Sequence, residues 1–348
     1  MIKKMVGMGV AGMVLLASGA ARADGQLHIF NWGNYTNPKL IEKFEQAYNV
    51  KVTMDDYDSN ETMLAKVRSG STGFDIVVPT DYTVKIMIDE AMLAKTEPNQ
   101  MDNFKNVDPI WVDVYWDKGR HYTVPWQWGT TAFSVNTAKY SGDINTLALL
   151  FDTPKELQGR INILPDMNEM VNAGLRYLNL PRCTGDPNEK PNMENLKKVA
   201  DLLQKSKPNW RTFDYDDIGK MTSGDVDMSM GWNGSTFRIR QQIPTVKYAY
   251  PKEGMPRWMD NVAVLKDAPD MENAKLFQNF VMDPENAALL SAFAKYGNGI
   301  KGSAKFLPPD LADAPELNWP AGVNPELVPP CSKEVNDTYN KIWTSLLK

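Results

Sequence analysis

Histidine is scarce in this chain, with His28 and His121 the only two among 348 residues. Neither has a second histidine or a cysteine at metal-ligand spacing, so the common zinc chemistries lack their ligands. A G-x-S-x-G elbow and a P-loop are both missing. A basic excess is missing too: the formal net charge is −5, and a chain without a basic face is a poor partner for nucleic acid. Beyond the N-terminus, no apolar run approaches the roughly 20 residues of a membrane span. Two weak motifs fail their context. "GNGIKG" (297–302) matches G-x-G-x-x-G, but a helix precedes it and no convincing helix follows. "DDYDSNE" (55–61) lacks the glycine and closing glutamate of a calcium loop and reads as a strand end followed by a helix cap.

What is present begins with a leader. Lys3 and Lys4 precede an apolar stretch from Met5 to about Ala17, which closes on Ala21-Arg22-Ala23. That is the layout of a secretory signal peptide spanning 1–23. Its removal takes away three cations and no anion, so a charge of −5 becomes −8. An acidic exported protein is a plausible host for a cation. Cys183 and Cys331 both lie beyond the leader. An oxidising destination favours one disulfide between distant parts of the chain, with two buried thiols as the alternative, because spacing decides neither.

The remaining length exceeds what one core usually holds and predicts two domains. Strand-like and helix-like segments alternate. "LHIFNW" (27–32) leads to a helix from Pro38, capped by Asn37. "VKVTMDDY" (50–57) leads to a helix with Ser59 as N-cap and Gly70 as stop. "FDIVVPT" (74–80) leads to a helix over 81–93. This order predicts a parallel sheet with helices on its faces. Ligands in such sheets bind beyond the carboxyl ends of the strands. Trp32 and Tyr35 follow the first strand, Thr80, Asp81 and Tyr82 the third, Asp166 and Glu169 a strand ending near Leu164, and Trp232 a strand ending near Met230. Trp258 and Asp260 are expected in the turn before "NVAVLK" (261–266). Aromatics and carboxylates recur at these ends while basic residues are scarce. Carboxylates hold ammonium groups by charge-assisted hydrogen bonds, and aromatic faces attract the charge and cover methylenes. Trp126 and Trp128 are expected in core or hinge packing.

The chain resembles the periplasmic spermidine/putrescine-binding proteins of bacterial ABC importers. The resemblance runs through "FNWGNY" (30–35), "SNETMLAKVRSG" (59–70), "FDIVVPTDY" (74–82), "GWNGSTF" (231–237), "PKEG" with "WMD" (251–260) and "KYGNG" (295–299), all in one order. It implies an α/β, two-lobed type II periplasmic-binding-protein fold, each lobe a mixed sheet flanked by helices, with two hinge crossovers. The expected N-lobe is 26–128 with 259–300, and the C-lobe 129–258 with 301–348. The implied function is a periplasmic, non-catalytic binding protein that takes a polyamine in the cleft and hands it to a membrane permease. No cofactor, no nucleic acid and a monomer are expected.

By the same resemblance, Trp32 and Tyr35 wall the cleft, and Thr80 and Tyr82 add a hydroxyl and an aromatic edge. Asp166 and Glu169 hold one ammonium and Asp260 the other, Trp232 and Trp258 cover methylenes, and Tyr296 closes the far end. Where relatives often carry a hydroxyl residue and an acid, this chain has Gly33 and Asn34, which removes a polar contact and a charge. Asp81 stands where a small or hydroxyl residue is common and restores a carboxylate. Two alternatives follow from these residues: a site for another organic cation or opine-like amine, or an exported hydrolase using Asp166 and Glu169.

Overall fold

The computed structural model describes residues 25–348; the expected leader lies outside them. The first strands are β1 (Gly25–Trp32), β2 (Val50–Tyr57) and β3 (Ile76–Val77). β1 pairs in parallel with both of the others, as the strand-helix alternation predicts. Asn37 caps the helix Pro38–Tyr48, and Ser59 caps the helix Asn60–Arg68 through the Thr62 amide. A short hairpin, β4 (Asp113–Val114) and β5 (Asp117–Lys118), precedes the 14-residue β6 (Thr123–Asn136). Then come β7 (Ile161–Ile163), β8 (Thr212–Phe213), β9 (Met228–Trp232), β10 (Val246–Tyr248), β11 (Pro256–Val264) and β12 (Glu326–Leu327).

The main sheet runs β2-β1-β3-β11-β6-β9-β7-β8, with β10 on β6 and β12 on β11. Helices cover it, and two large hydrophobic cores form. One gathers residues from Leu27 to Trp126 and from Met259 to Ile300. The other gathers residues from Phe133 to Ala249 and from Cys331 to Leu346. β6 passes from the first core, at Val124 and Trp126, to the second, at Phe133 and Val135. β11 runs antiparallel beside it. Trp126 is 2% exposed and packs near Phe277, in keeping with the core role expected of it.

The pairing of β6 and β11 is irregular at one place. Asp260 stands opposite Gln127, but Asn261 stands opposite Pro125, so Trp126 is the extra residue of a bulge. Pro125 has no N–H to give the ladder, and strands tolerate proline at such breaks. Trp258 and Asp260 therefore lie within β11 and not in a turn. The turn comes earlier, at Lys252 and Glu253, and β11 begins at Pro256. Pairing with β6 extends the strand through polar residues that interrupt its apolar pattern.

Cys183 and Cys331 form a disulfide that joins positions 148 residues apart. Its chain-entropy contribution is about 5 kcal/mol for a loop of this length. The expected outcome of Cys331→Ser is a stability loss of about that size. Urea unfolding of the variant, beside wild type with and without reductant, measures it.

Candidate ligand-binding cleft

β1 delivers Trp32 at its carboxyl end, where the indole N–H donates to the Val78 carbonyl at 3.0 Å and the ring lies 4.8 Å from Tyr57. Three residues on, Tyr35 is buried and its hydroxyl donates to Asp260 at 2.8 Å. Thr80, the residue before the helix Asp81–Asp89, donates to the other Asp260 oxygen at 2.7 Å. Asp260 is only 5% exposed. Desolvation pushes its carboxyl up to about 7, the two hydroxyl donors oppose that, and the neighbouring Asp81 adds to it.

Trp258 and Tyr296 cover this carboxylate's surroundings. Their ring centroids are 5.3 Å apart, and Tyr296 is 5.6 Å from Tyr35. Gly129 lies opposite Trp258 across the two strands. A Cβ there would fall 2.5 Å from both the indole Cζ2 and Asn233 Oδ1, so only glycine lets the ring lie flat on β6. The Tyr296 hydroxyl is 3.4 Å from Ser235 Oγ, on the helix Asn233–Gln242 that follows β9. Thus a tyrosine of the first core meets a helix of the second half of the chain. Gly297 of "GNGIKG" seats the Trp128 indole, a packing role for that motif.

The other acids come from the opposite side. Asp166 caps the helix Met167–Tyr177 by accepting from the Glu169 amide at 2.9 Å. Glu169 accepts from Thr131 at 2.9 Å. Its carboxyl is pushed up to about 8, first by desolvation and then by the Asp166 charge. Asp166 is raised by desolvation as well. Trp232 ends β9, packs against both cores, and stacks on Tyr215 at 6.5 Å with an interplanar angle of 8°. Tyr82 donates nothing to Asp166 but accepts from Asn60 at 2.9 Å and feels the charges of Glu61 and Asp166.

Four residues at this cleft were not among those singled out from the sequence. Glu61 opens the helix after β2 and faces Asp166 from the other side; desolvation and then that charge push it up to about 7. The strand-end rule reaches it, because β2 ends at Tyr57. Tyr215 is the partner of Trp232. Arg238 meets Asn34, whose amide oxygen, turned toward the guanidinium, accepts at 2.8 and 3.1 Å. Asn34 has φ 55°, a left-handed conformation that asparagine tolerates well. The loop after β1 is thus paired with a cation, against the expected scarcity of basic residues. Tyr115, in the β4–β5 turn, holds Asp81 at 2.8 Å. Among the described residues, no group of histidine, cysteine and acidic side chains is arranged to hold a metal ion.

Known proteins share this architecture. The family described as bacterial extracellular solute-binding protein matches residues 39–318. The chain is 32% identical over 308 residues to the spermidine/putrescine-binding periplasmic protein of Escherichia coli (strain K12), covering 87% of this chain and 86% of that one. It is 29% identical over 334 residues to the putrescine-binding periplasmic protein SpuD of Pseudomonas aeruginosa (strain UCBPP-PA14), covering 90% and 89%. A solved structure described as a putative spermidine/putrescine ABC transporter from Listeria monocytogenes superposes with a TM-score of 0.85 at 28% identity, covering 92% of this chain and 98% of that one. Its fold is the two-lobed type II form of periplasmic binding proteins, and the chain belongs to the bacterial extracellular solute-binding protein family.

Proposed function

We propose that this protein binds a polyamine of the putrescine or spermidine type, without turnover, and delivers it in the periplasm to an ABC importer. The observation that carries the reading is the pairing of two acid sets with aromatic walls between them. Asp260, buried and fed only by hydroxyl donors, takes one ammonium. Asp166 and Glu169 take the other, with Glu61 facing them. Trp32, Tyr35, Tyr82, Trp232, Trp258 and Tyr296 cover the charge and the methylenes between. The names of the relatives at 32% and 29% identity support the same ligand class. We assign the lobes as 26–128 with 259–300 and 129–258 with 301–348, a monomer that closes by hinge motion on β6 and β11.

All carboxyls whose values are raised here favour the same chemistry. A desolvated carboxylate without a counter-cation is costly, and an arriving ammonium relieves that cost. A second reading, an organic cation bearing an acceptor oxygen such as an opine-like amine, rests on two donors. These are Arg238 at the cleft loop and the Trp258 Nε1, buried with no partner within the protein. Isothermal titration of amine-free protein with putrescine, spermidine, agmatine and spermine separates the two. Saturable binding of one amine with no consumption supports the first. Silence from all four, with saturable binding of an opine, establishes the second.

A further inference from the structure

Asp81 is 2% exposed, and both its oxygens are already engaged. Oδ1 accepts from the Tyr115 hydroxyl at 2.8 Å, and Oδ2 accepts from the Met259 amide at 3.0 Å. Met259 lies between Trp258 and Asp260, so this bond pins the backbone that carries both. The Tyr115 hydroxyl also makes a longer contact, 3.3 Å, to the Val328 carbonyl. Val328 belongs to a strap that pairs through β12 with Pro256 and Arg257 of β11. Beyond Val328, the Pro329 carbonyl accepts from Arg182, and Cys331 is bonded to Cys183. The helix start at Asp81, the β4–β5 turn, the ligand strand and the strap therefore meet at one carboxylate.

Resting on the polyamine reading, we propose that Asp81 is a positioning residue. With Tyr115 it locks the Trp258–Asp260 segment of β11 against the disulfide-anchored strap, and so fixes the reach between Asp260 and the acids across the cleft without touching the amine. The restored carboxylate of the Thr80-Asp81-Tyr82 motif then acts on the strand and not on the ligand.

The test uses wild type, Asp81→Asn, Tyr115→Phe and the double variant. Amide hydrogen exchange of residues 257–261 without ligand is the first readout. Faster exchange there in both single variants is expected; an unchanged rate overturns the inference whether or not any amine binds. Titration with putrescine and spermidine is the second. Each single variant is expected to weaken both amines by a similar factor, roughly tenfold, as for a hydrogen bond to a charged group. The double variant should be little worse than the worse single, because the two residues act as one unit. A loss confined to Asp81→Asn, or one much larger for spermidine, assigns Asp81 to ligand contact and overturns the inference.

The pH profile is the third readout. Arg120, Arg257, Tyr115, Glu169 and Asp260 are the charged and titratable groups that interact with Asp81. Asp81→Asn removes a negative charge beside Asp260, so the acid limb of binding should move to lower pH, and Tyr115→Phe, which removes a hydrogen bond that holds the Asp81 carboxyl down, should move it the same way by less. An unmoved limb in Asp81→Asn counts against the inference. Wild type that binds neither amine defeats the polyamine reading alone, and the exchange data still decide the role of Asp81.

Discussion

Asp260→Asn is expected to weaken amine binding by about 2–5 kcal/mol, the loss seen when one partner of a buried charge pair is removed. In affinity that is roughly 30- to 5,000-fold. The size follows from where the carboxylate sits. Asp260 is nearly inaccessible to water, and its protein partners are two hydroxyls, which stabilise a negative charge without neutralising it. An ammonium that enters this pocket gives up its own hydration, and only a full negative charge compensates for that. Asparagine keeps the shape and an acceptor but offers no charge, and its amide N–H₂ meets one of the two hydroxyls that were both donating. The same substitution has a second signature. At pH 8 the unliganded variant should be no less stable than wild type, because it no longer holds a desolvated charge. Titration calorimetry and thermal unfolding on the same preparation give both numbers. A binding loss well under 1 kcal/mol would take Asp260 out of the site.

Amine affinity is expected to fall as pH drops through about 7, and binding below that pH should release protons. The sign comes from carboxyls whose values are raised: Asp260 to about 7 and Glu169 to about 8, each chiefly by desolvation. Only the ionised form pairs with an ammonium, so a bound amine must first displace the proton. One such group with a value near 7 makes affinity about 100-fold weaker at pH 5 than at pH 8. Stability of the unliganded protein runs the other way. A carboxyl raised in the folded state contributes stability that is fully present below its unfolded value and is lost as pH rises through the folded one. The thermal shift produced by amine should therefore be larger at pH 8 than at pH 5. Titrations in two buffers of different ionisation enthalpy count the protons. A flat affinity between pH 5 and 8, with no proton release, would contradict the assignment of buried carboxylates to the ligand.

How much of this was legible in the sequence depended on whether the signal was local. The strand ends that carry Trp32, Tyr35 and Thr80 are visible in a few residues, and the Asn37 and Ser59 caps sit where helix-start rules put them. Asp166 is legible both as a cap and as a ligand group; it does cap its helix, and its charge acts on Glu61. Trp258 and Asp260 are expected in a turn and lie in a strand, because their membership of β11 depends on β6, more than 120 residues earlier in the chain. Tyr115 and Arg238 gave no signal, since a hairpin turn and a mid-helix arginine become cleft residues only through packing. The cysteines show the same limit: their spacing allowed a bond or two thiols, and the fold brings them together at a Cα separation of 5.6 Å.

The bulge at Trp126 carries an evolutionary consequence. Asp260 faces Tyr35 and Thr80, while the next residue, Asn261, accepts from Arg120 at 2.6 Å and from Trp116 at 3.2 Å. Neighbouring positions on a strand point to opposite faces, so a slip of one residue sends each side chain to the other side. A one-residue slip of β11 against its neighbours would thus exchange a carboxylate for an amide at the cleft with no change in either residue. Divergence in cargo among such proteins can then arise from a change in spacing alone, and an alignment that opens a gap here by one position would assign the wrong charge to the ligand.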